Sequence, residues 1–405
     1  MDGWYSDLNS KDEGSLASPQ WQTKNIDDTS WNTMDLPGYW KNEPIGNING
    51  CVWFRKTIEI PEHMAGKPAK LMLGRIVDQD FVYVNGEFVG TTGYQYPPRR
   101  YHIKDNILQA GKNNITVRVI NNIGNGGFVL EKPYYLATET DTIQLNGRWK
   151  YKVGTKMSSL EGQTFIRWKP VGLYNAMIAP LLNLKIKGVI WYQGESNTKN
   201  PKSYFKTFPA LIENWRSKWQ QGNFPFLYVQ LTNFMETKSE PVESSWAELR
   251  QAQLETLKVP KTAMAVAIDL GEWNDIHPLN KKDVGKRLAL LARKMTYGET
   301  DLKASSPMPK QTKFKKDKIV ITFKNAEDGL QSINGMPLKT FSVSNDSKHF
   351  VWAKAEIKGN KVIVWHNSIS QPKIVRYAWS DNPDEANLFS KNNLPASPFQ
   401  IKKEN

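Results

Sequence analysis

One segment sets the architecture of this 405-residue chain: Gly188-Val189-Ile190-Trp191-Tyr192-Gln193-Gly194-Glu195-Ser196-Asn197. Its first half is β-branched and aromatic, which is typical of a buried strand. Gly194 allows the backbone to turn sharply, and polar side chains cluster at residues 193–197. The segment therefore predicts a strand that ends in a polar loop suited to chemistry.

Strands and helices alternate after this segment. Apolar residues at helical spacing predict helices over 204–219, 244–257 and 284–295, and β-branched runs predict strands over 226–231 and 262–268. Ser245 and Glu248 have the spacing of a capping box at the start of the second helix. Three strand–helix units in succession predict a parallel sheet flanked by helices, an α/β fold.

Two polar loops leave carboxyl ends of these predicted strands. They span residues 193–197, after the first strand, and residues 269–277, after the third. Ligands of open α/β sheets lie at the carboxyl ends of the strands. We therefore expect the two loops to face the same crevice.

Composition narrows the functional class. Apolar residues make up 39% and charged residues 23% of the chain, which is ordinary for a globular protein. No run of about 18 apolar residues predicts a membrane span. The net charge is +14, but the lysines are scattered, so we expect a solvated basic surface that attracts acidic glycans rather than a nucleic-acid site. The single cysteine, Cys51, excludes an internal disulfide and a thiolate metal cluster, and we expect neither a metal nor a cofactor.

The flanking sequence predicts two β-rich domains. Short alternating strands with an Asn85-Gly86 hairpin turn indicate a β-sandwich over residues 1–145. The α/β domain then spans 146–300, and β character returns over 301–405, where Gly359-Asn360 predicts another hairpin. The early tryptophans either fill the sandwich, which we favour, or form platforms for sugars: Trp4, Trp21, Trp31, Trp40 and Trp53.

His277 is the candidate general base. It lies in a loop between a predicted strand and a helix, where such a base belongs. Asp275 is the first choice for the acid that orients it, and Asp269 and Glu195 remain alternatives.

The facing loop supplies candidate donors. Gln193, Asn197 and the backbone N–H groups around Gly194 could stabilise an oxyanion. The alternative for the two amide side chains is stabilisation of their own loop. A glycosidase would instead use paired carboxylates such as Glu195 and Asp275.

Three blocks together resemble the sialate O-acetylesterases of the SGNH hydrolase superfamily: Trp191-Tyr192-Gln193-Gly194-Glu195-Ser196-Asn197, Asp275-Ile276-His277-Pro278 and Val284-Gly285-Lys286-Arg287-Leu288-Ala289. The resemblance implies an SGNH-type parallel sheet with an N-terminal jelly-roll sandwich, similar to those of β-galactosidases, and a small C-terminal β domain. It also implies serine acyl transfer, with His277 as the base and the block around Gln193, Gly194 and Glu195 completing the oxyanion hole.

The implied activity is hydrolysis of acetyl esters on carbohydrate, with 9-O-acetyl groups of sialic acids as the expected substrate. Acetylxylan or another acetylated polysaccharide is the alternative substrate, and non-catalytic glycan binding is the alternative function. Family membership implies a periplasmic or extracellular location, although the first residues do not have the pattern of a signal peptide.

The chain departs from the family at the nucleophile. Family members carry the serine in a Gly-Gln-Ser-Asn block ahead of the jelly roll, and this string does not occur in the sequence. We expect the chain to be a fragment that lacks the front of the hydrolase domain. Ser196 is the substitute nucleophile within the chain, although Gly194-Glu195-Ser196-Asn197-Thr198 lacks the last glycine of a Gly-x-Ser-x-Gly elbow.

Overall fold

The computed structural model describes residues 2–162 and 170–403. The chain forms two compact units, residues 1–165 and 166–405.

The first unit is built mainly of antiparallel strands. Its helices are α1 (Asp2–Lys11) and α2 (Glu13–Leu16), and its strands are β1 (Asn32–Leu36), β2 (Asn49–Ile60), β3 (Ala69–Leu73), β4 (Ile76–Val77), β5 (Gln79–Val84), β6 (Glu87–Thr92), β7 (Arg100–Ile103), β8 (Gly111–Asn121), β9 (Gly127–Phe128), β10 (Tyr134–Ala137), β11 (Thr142–Gln144) and β12 (Gly147–Met157). One sheet has the order β1-β12-β2-β8-β5-β6, a second has the order β11-β10-β3-β7, and β4 pairs with β9. The predicted hairpin at Asn85-Gly86 is confirmed, because Val84 pairs with Glu87.

Strand β2 is buried on both of its faces. Val52 and Phe54 point into the core shared by the two large sheets, whereas Cys51 and Trp53 pack with Leu8 of α1 in a second cluster. Four of the early tryptophans, Trp21, Trp31, Trp40 and Trp53, are at most 8% exposed. Those four therefore fill the unit, and they are not available as platforms for sugars.

A buried carboxylate joins the N-terminal helices to the sheet. Asp12 accepts hydrogen bonds from Trp53 Nε1 at 2.9 Å, Arg118 Nε at 2.7 Å and Ser15 Oγ at 2.8 Å. Burial alone would raise the pKa of Asp12, but the Arg118 guanidinium and the other donors outweigh burial and hold the pKa below its usual value. Asp12 therefore stabilises the fold while it is ionised, and it loses this contribution as the pH falls through its lowered pKa.

Asp12→Asn is expected to destabilise the first unit by about 3 kcal/mol, because it leaves the Arg118 guanidinium buried without its counter-charge. Urea unfolding followed by tryptophan fluorescence measures this difference. The difference should shrink progressively as the pH falls below about 4, where Asp12 of the unfolded chain binds a proton, and vanish once the pH lies below the lowered pKa of the folded protein. Asp7→Asn is the matched control, since Asp7 pairs with Lys11 on the surface. Equal unfolding midpoints for Asp12→Asn and the control at pH 7 would contradict this role.

The first unit extends further along the chain than the predicted end at residue 145. Strand β12 pairs with β1 and β2, with Tyr151 opposite Phe54, and it thereby completes the larger sheet. A segment in the middle of a sheet cannot belong to the following domain. The division between the units accordingly lies some twenty residues later than the sequence indicates.

The second unit begins with the α/β elements. They are β13 (Val189–Trp191), α3 (Pro201–Trp219), β14 (Phe226–Gln230), α4 (Ser245–Glu255), β15 (Thr262–Val266) and α5 (Lys281–Met295). The three strands pair in parallel in the order β13-β14-β15, as the alternation of strands and helices predicts. Helices α3 and α4 cover one face of this sheet, and α5 covers β14 and β15 on the other.

The remaining strands form antiparallel sheets around their own core. They are β16 (Met308–Phe314), β17 (Ile319–Lys324), β18 (Leu330–Ser332), β19 (Phe341–Ser344), β20 (Val351–Trp352), β21 (Lys354–Lys358), β22 (Lys361–Trp365), β23 (Ile374–Tyr377), β24 (Leu388–Ser390) and β25 (Phe399–Lys402). The sheets have the orders β16-β17-β22-β21, β20-β19-β23-β25 and β18-β24. The predicted turn at Gly359-Asn360 is confirmed by the pairing of Lys358 with Lys361. The proposed domain division at residue 300 falls inside this single compact unit.

One local prediction needs correction. Ser244, not Ser245, caps α4, because its hydroxyl accepts a hydrogen bond from Ala247 N–H at 2.9 Å. Ahead of β13, the chain forms a π turn, Tyr174–Ile178, followed by a 3₁₀ turn, Ala179–Leu181. Pro180 cannot donate a backbone hydrogen bond, so a regular helix is interrupted there.

Candidate active site

Gln193, at the end of β13, is held from several sides. Its Nε2 donates to Asn197 Oδ1 at 2.8 Å, and the Tyr204 hydroxyl of α3 lies 3.2 Å from both its backbone and its side-chain oxygen. The loop-stabilising role is therefore present for Gln193 and Asn197. Each carboxamide nitrogen has two N–H groups, so Gln193 retains a second donor for a ligand.

Gly194 is required by close packing. A Cβ atom at this position would lie 2.7 Å from Leu249 Cδ2 and 3.3 Å from Leu231 Cδ2. The backbone can therefore press against α4, and it then turns into the 3₁₀ segment Glu195–Lys199, with Asn197 N–H donating to Gly194 O at 2.8 Å. Ser196 lies on this turn and is exposed.

Gln253 of α4 connects two strand ends. Its Oε1 accepts a hydrogen bond from Leu231 N–H at 2.9 Å, and its Nε2 donates to Val229 O at 3.2 Å and to Gln193 O at 3.3 Å. The side chain is fully buried. The loops that follow β13 and β14 are thus positioned by the same residue, which sequence patterns alone do not single out.

The loop after β15 is shaped by Asp275. The carboxylate is 1% exposed, and its Oδ1 accepts a hydrogen bond from His277 N–H at 2.8 Å. Asp275 N–H in turn donates to Glu272 O at 3.2 Å, and Leu279 N–H donates to Glu272 Oε1 at 2.8 Å. The backbone around His277 is therefore fixed, while His277 itself is exposed.

Asp269 has a different partner. Its two carboxylate oxygens accept hydrogen bonds from Arg287 Nη1 and Nη2 at 2.6 and 2.7 Å, and Arg287 Nη1 also donates to Val266 O. A bidentate pair of this kind anchors the start of the loop to α5. Of the three carboxylates considered from the sequence, Asp275 accepts a hydrogen bond from the His277 backbone, and Asp269 is held by Arg287.

Lys281 links the two predicted site loops. Its ammonium lies 5.0 Å from the centre of the Tyr192 ring. Burial lowers the pKa of Lys281, and the nearby carboxylates of Glu195, Asp275 and Glu272 oppose that effect. A single cation therefore lies within electrostatic reach of the loop after β13 and of the loop after β15, so the two loops approach the same place.

Glu195 also influences the pKa values of two phenols, those of Tyr192 and Tyr204. Burial raises the pKa of Tyr192 to about 12, and the Glu195 carboxylate adds to the rise. Tyr204 behaves in the same way, with its pKa raised to about 12 by burial first and by Glu195 second. Both phenols therefore stay protonated at neutral pH and can act as hydrogen-bond donors.

Arg250 holds the loop after β14. The guanidinium is fully buried and donates to four carbonyl oxygens, those of Leu231, Thr232, Ser380 and Asp381. Burial lowers the pKa of Arg250 to about 9, so the group is still charged at neutral pH. The C-terminal part of the chain thus contributes residues 380 and 381 to the framework of the site, a contribution that no local sequence pattern indicates.

Gly271 brings the loops after β14 and β15 into contact. Its N–H donates to Asn233 Oδ1 at 2.8 Å, and a Cβ atom at this position would lie 2.0 Å from the backbone oxygen of Asn233. Any other residue would force the two backbones apart.

Gly271→Ala is expected to destabilise the second unit by about 1–3 kcal/mol, because the added methyl group overlaps with backbone that cannot move freely. Gly285→Ala in α5 is the control, since nothing lies within 4 Å of its Cβ position and alanine favours a helix. Thermal unfolding should show a lower Tm for Gly271→Ala and an unchanged or higher Tm for Gly285→Ala. An unchanged Tm in Gly271→Ala would mean that the loops are not tightly packed.

Comparison with known proteins assigns this framework to a family. Residues 148–294 match the family model described as carbohydrate esterase, sialic acid-specific acetylesterase. The sialate O-acetylesterase of Mus musculus is 35% identical over 254 residues, which cover 56% of this chain and 46% of that protein; the Homo sapiens protein is 34% identical over 254 residues, covering 56% and 48%. Residues 148–294 thus form a domain of the sialic acid-specific acetylesterase family. The chain spans about half the length of these curated relatives.

Two further matches extend beyond residues 148–294. Residues 2–156 match the sugar binding domain of glycosyl hydrolases family 2, so the first unit is a β-rich domain of sugar-binding type. A solved carbohydrate acetylesterase from Xanthomonas citri is 26% identical, with a TM-score of 0.55, and the match covers 84% of this chain and 96% of that one. Both units therefore have counterparts in carbohydrate-active proteins.

The structure also bears on membranes and metals. Within residues 2–162 and 170–403, no helix is long and apolar enough to cross a membrane. In the same described residues, no group of three or more His, Cys, Asp or Glu side chains is arranged to hold a metal ion.

Proposed function

We propose that this protein hydrolyses acetyl esters on carbohydrate, with 9-O-acetylated sialic acids as the substrate, by serine acyl transfer in an SGNH-type site. The observation that carries the proposal is the contact of Lys281, which follows the 269–277 loop, with the ring of Tyr192, which precedes the 193–197 loop, at the carboxyl ends of parallel strands. The site lies within the segment that matches the esterase family.

His277 is the proposed general base, and Asp275 is the proposed orienting acid. The buried Asp275 carboxylate already accepts a hydrogen bond from the His277 backbone, which supports a fixed position for this histidine. A base held in this way can remove the proton from a serine and later deliver it to the leaving sugar hydroxyl.

Gln193, Asn197 and the backbone around Gly194 are the proposed oxyanion donors. Tyr204 and Gln253 hold Gln193 in place, so its donors need little reorganisation when negative charge develops on the substrate oxygen. Lys281 is an additional candidate, because its charge lies close to both loops. Glu195 would then balance that charge.

We propose that the nucleophilic serine lies on a strand that adds beside β13, outside the 405 residues of this chain. Ile190 of β13 is 69% exposed, whereas its neighbour Leu227 on β14 is 3% exposed. Within 170–190, no residue is buried, although Val171, Leu173, Met177, Leu181 and Leu184 are all large and apolar. Apolar residues at the edge of a parallel sheet are normally covered. Ser196 is the competing nucleophile within the chain.

Labelling with a fluorophosphonate, mapped by mass spectrometry, separates the two nucleophiles. We expect Ser196 to remain unlabelled in the 405-residue chain, because it lies on the turn that is proposed to supply oxyanion donors. A label on Ser196 that disappears in His277→Ala would contradict the added strand and would make Ser196 the nucleophile.

His277→Ala is expected to lower kcat by about 100-fold or more, because the nucleophile loses its base. The assay measures hydrolysis of p-nitrophenyl acetate by whichever form of the protein contains the nucleophile. The fold should be retained, since His277 is exposed. His349→Ala is the matched control: His349 also lies beside an aspartate, with Nδ1 2.6 Å from Asp346 Oδ2, but it belongs to the loop before β20. Equal loss of activity in both variants, or none in His277→Ala, would overturn the assignment of the base.

The substrate itself separates the two esterase alternatives. Release of acetate from 9-O-acetyl-N-acetylneuraminic acid should exceed release from acetylated xylan at equal acetyl concentration. The reverse order would favour a polysaccharide esterase, which is compatible with the carbohydrate acetylesterase from Xanthomonas citri. Glycan binding without acetate release by any form of the protein would favour the non-catalytic alternative.

A further inference from the structure

A cavity in the second unit is lined by the end of the turn Glu195–Lys199. Its volume is about 850 Å³, which is within the usual range for small-molecule sites. The starts of α3 and α4, the loop before β20 and the strands β23 and β25 line it. His277 and Gln193 are not among its lining residues, so the cavity is distinct from the candidate active site.

The cavity has a strongly cationic lining. Five cationic side chains line it, against the two carboxylates of Glu243 and Glu248. The cationic residues are Lys199, Lys202, Lys348, Arg376 and Lys402. The N-terminal ends of α3 and α4 add partial positive charge at the same place. The field inside this cavity therefore favours an anion.

Two buried donors in the wall have no acceptor. Arg376 is 4% exposed; its Nε donates to Gln400 Oε1 at 2.8 Å and its Nη2 to Glu243 Oε1 at 2.7 Å, but Nη1 has no hydrogen-bond partner among the described residues. Trp379 is 7% exposed, and its Nε1 likewise lacks a partner there. A buried donor left without an acceptor costs about 1–3 kcal/mol. Both residues line the cavity, so a ligand that reaches these atoms after a small side-chain shift would supply the missing acceptor.

The orientation of Arg376 is fixed before any ligand binds. Its guanidinium carbon lies 3.6 Å from the centre of the Phe350 ring and 4.9 Å from the centre of the Trp379 ring. Stacking of this kind holds the planar group in place, so the Arg376 guanidinium needs little reorganisation to bind an anion.

The rim offers an apolar surface as well. Phe205 of α3 lines the cavity and is 37% exposed, next to Pro201. A pyranose ring can place its C–H groups against such an aromatic face while a charged substituent reaches the cationic wall.

We propose that this cavity binds the carboxylate of an acidic sugar, with Arg376 Nη1 and Trp379 Nε1 as donors and the surrounding lysines as the attracting charge. The cavity shares residues 198 and 199 with the turn that carries the oxyanion candidates. An acidic glycan bound here lies directly behind the active-site loop. The site thereby provides a means of retaining acidic glycans that does not depend on the hydrolytic residues.

Isothermal titration of the 405-residue chain with N-acetylneuraminic acid and with D-glucuronic acid tests the proposal. Neither sugar carries an O-acetyl ester, so the result does not depend on turnover or on the proposed function. Both acids should bind, the methyl ester of N-acetylneuraminic acid should bind at least 10-fold more weakly, and the affinity for the acids should fall with added salt. Equal binding of the ester, or binding of inorganic phosphate without binding of either sugar acid, would overturn the proposal.

Two variants locate the binding. Lys202→Glu/Lys402→Glu should weaken binding at least 10-fold, whereas the control Lys310→Glu/Lys313→Glu, with the same change of charge on β16, should change it less than 2-fold. Trp379→Phe keeps an aromatic ring beside Arg376 but removes the indole N–H. It should lower the Tm slightly, because a smaller ring fills the buried position, while the protein stays folded, and it should weaken binding by 3-fold or more. Equal losses in the two double variants, or full binding by Trp379→Phe, would contradict this placement.

Discussion

The second unit depends on one buried cation. Arg250 places a charged guanidinium among four carbonyl oxygens, two from the end of β14 and two from the segment after β23. Taking such a charge out of water is costly unless its donors are satisfied, so the carbonyls must stay where they are. This constraint joins the C-terminal sheets to the α/β sheet. It explains why residues 301–405 and the strand-end loops form one compact unit.

The same principle operates in the first unit with the opposite sign of charge. Asp12 is a buried anion whose donors come from two strands and from α2. In each unit, a central ion therefore connects elements that are distant in sequence. The difference lies in what the ion fixes, because Asp12 attaches N-terminal helices to a sheet, whereas Arg250 sets the geometry of loops that bear candidate functional groups.

Local sequence pattern predicted much of this arrangement. The order of strands and helices, the parallel pairing of β13, β14 and β15, and the two hairpin turns follow from periodicity and turn residues. The pattern also singled out the loops that contain Gln193 and His277. Local pattern assigned β12 to the wrong unit. Membership of a sheet depends on pairing with β1 and β2, which lie about a hundred residues earlier in the chain. The roles of Arg250, Gln253 and Lys281 were likewise hidden, since each depends on contacts between segments that no local pattern records.

Gln253 has a consequence for how such a site can change. One side chain on α4 sets the spacing between the ends of β13 and β14, so both loops follow the rotation and register of that helix. Lengthening α4 by one residue would turn this side chain by about 100° and release both loops at once. Changes in the exposed loop residues leave the hydrogen bonds of the Gln253 side chain intact. The sequences of the two loops can therefore diverge, while the length of the helix that sets their spacing is held constant.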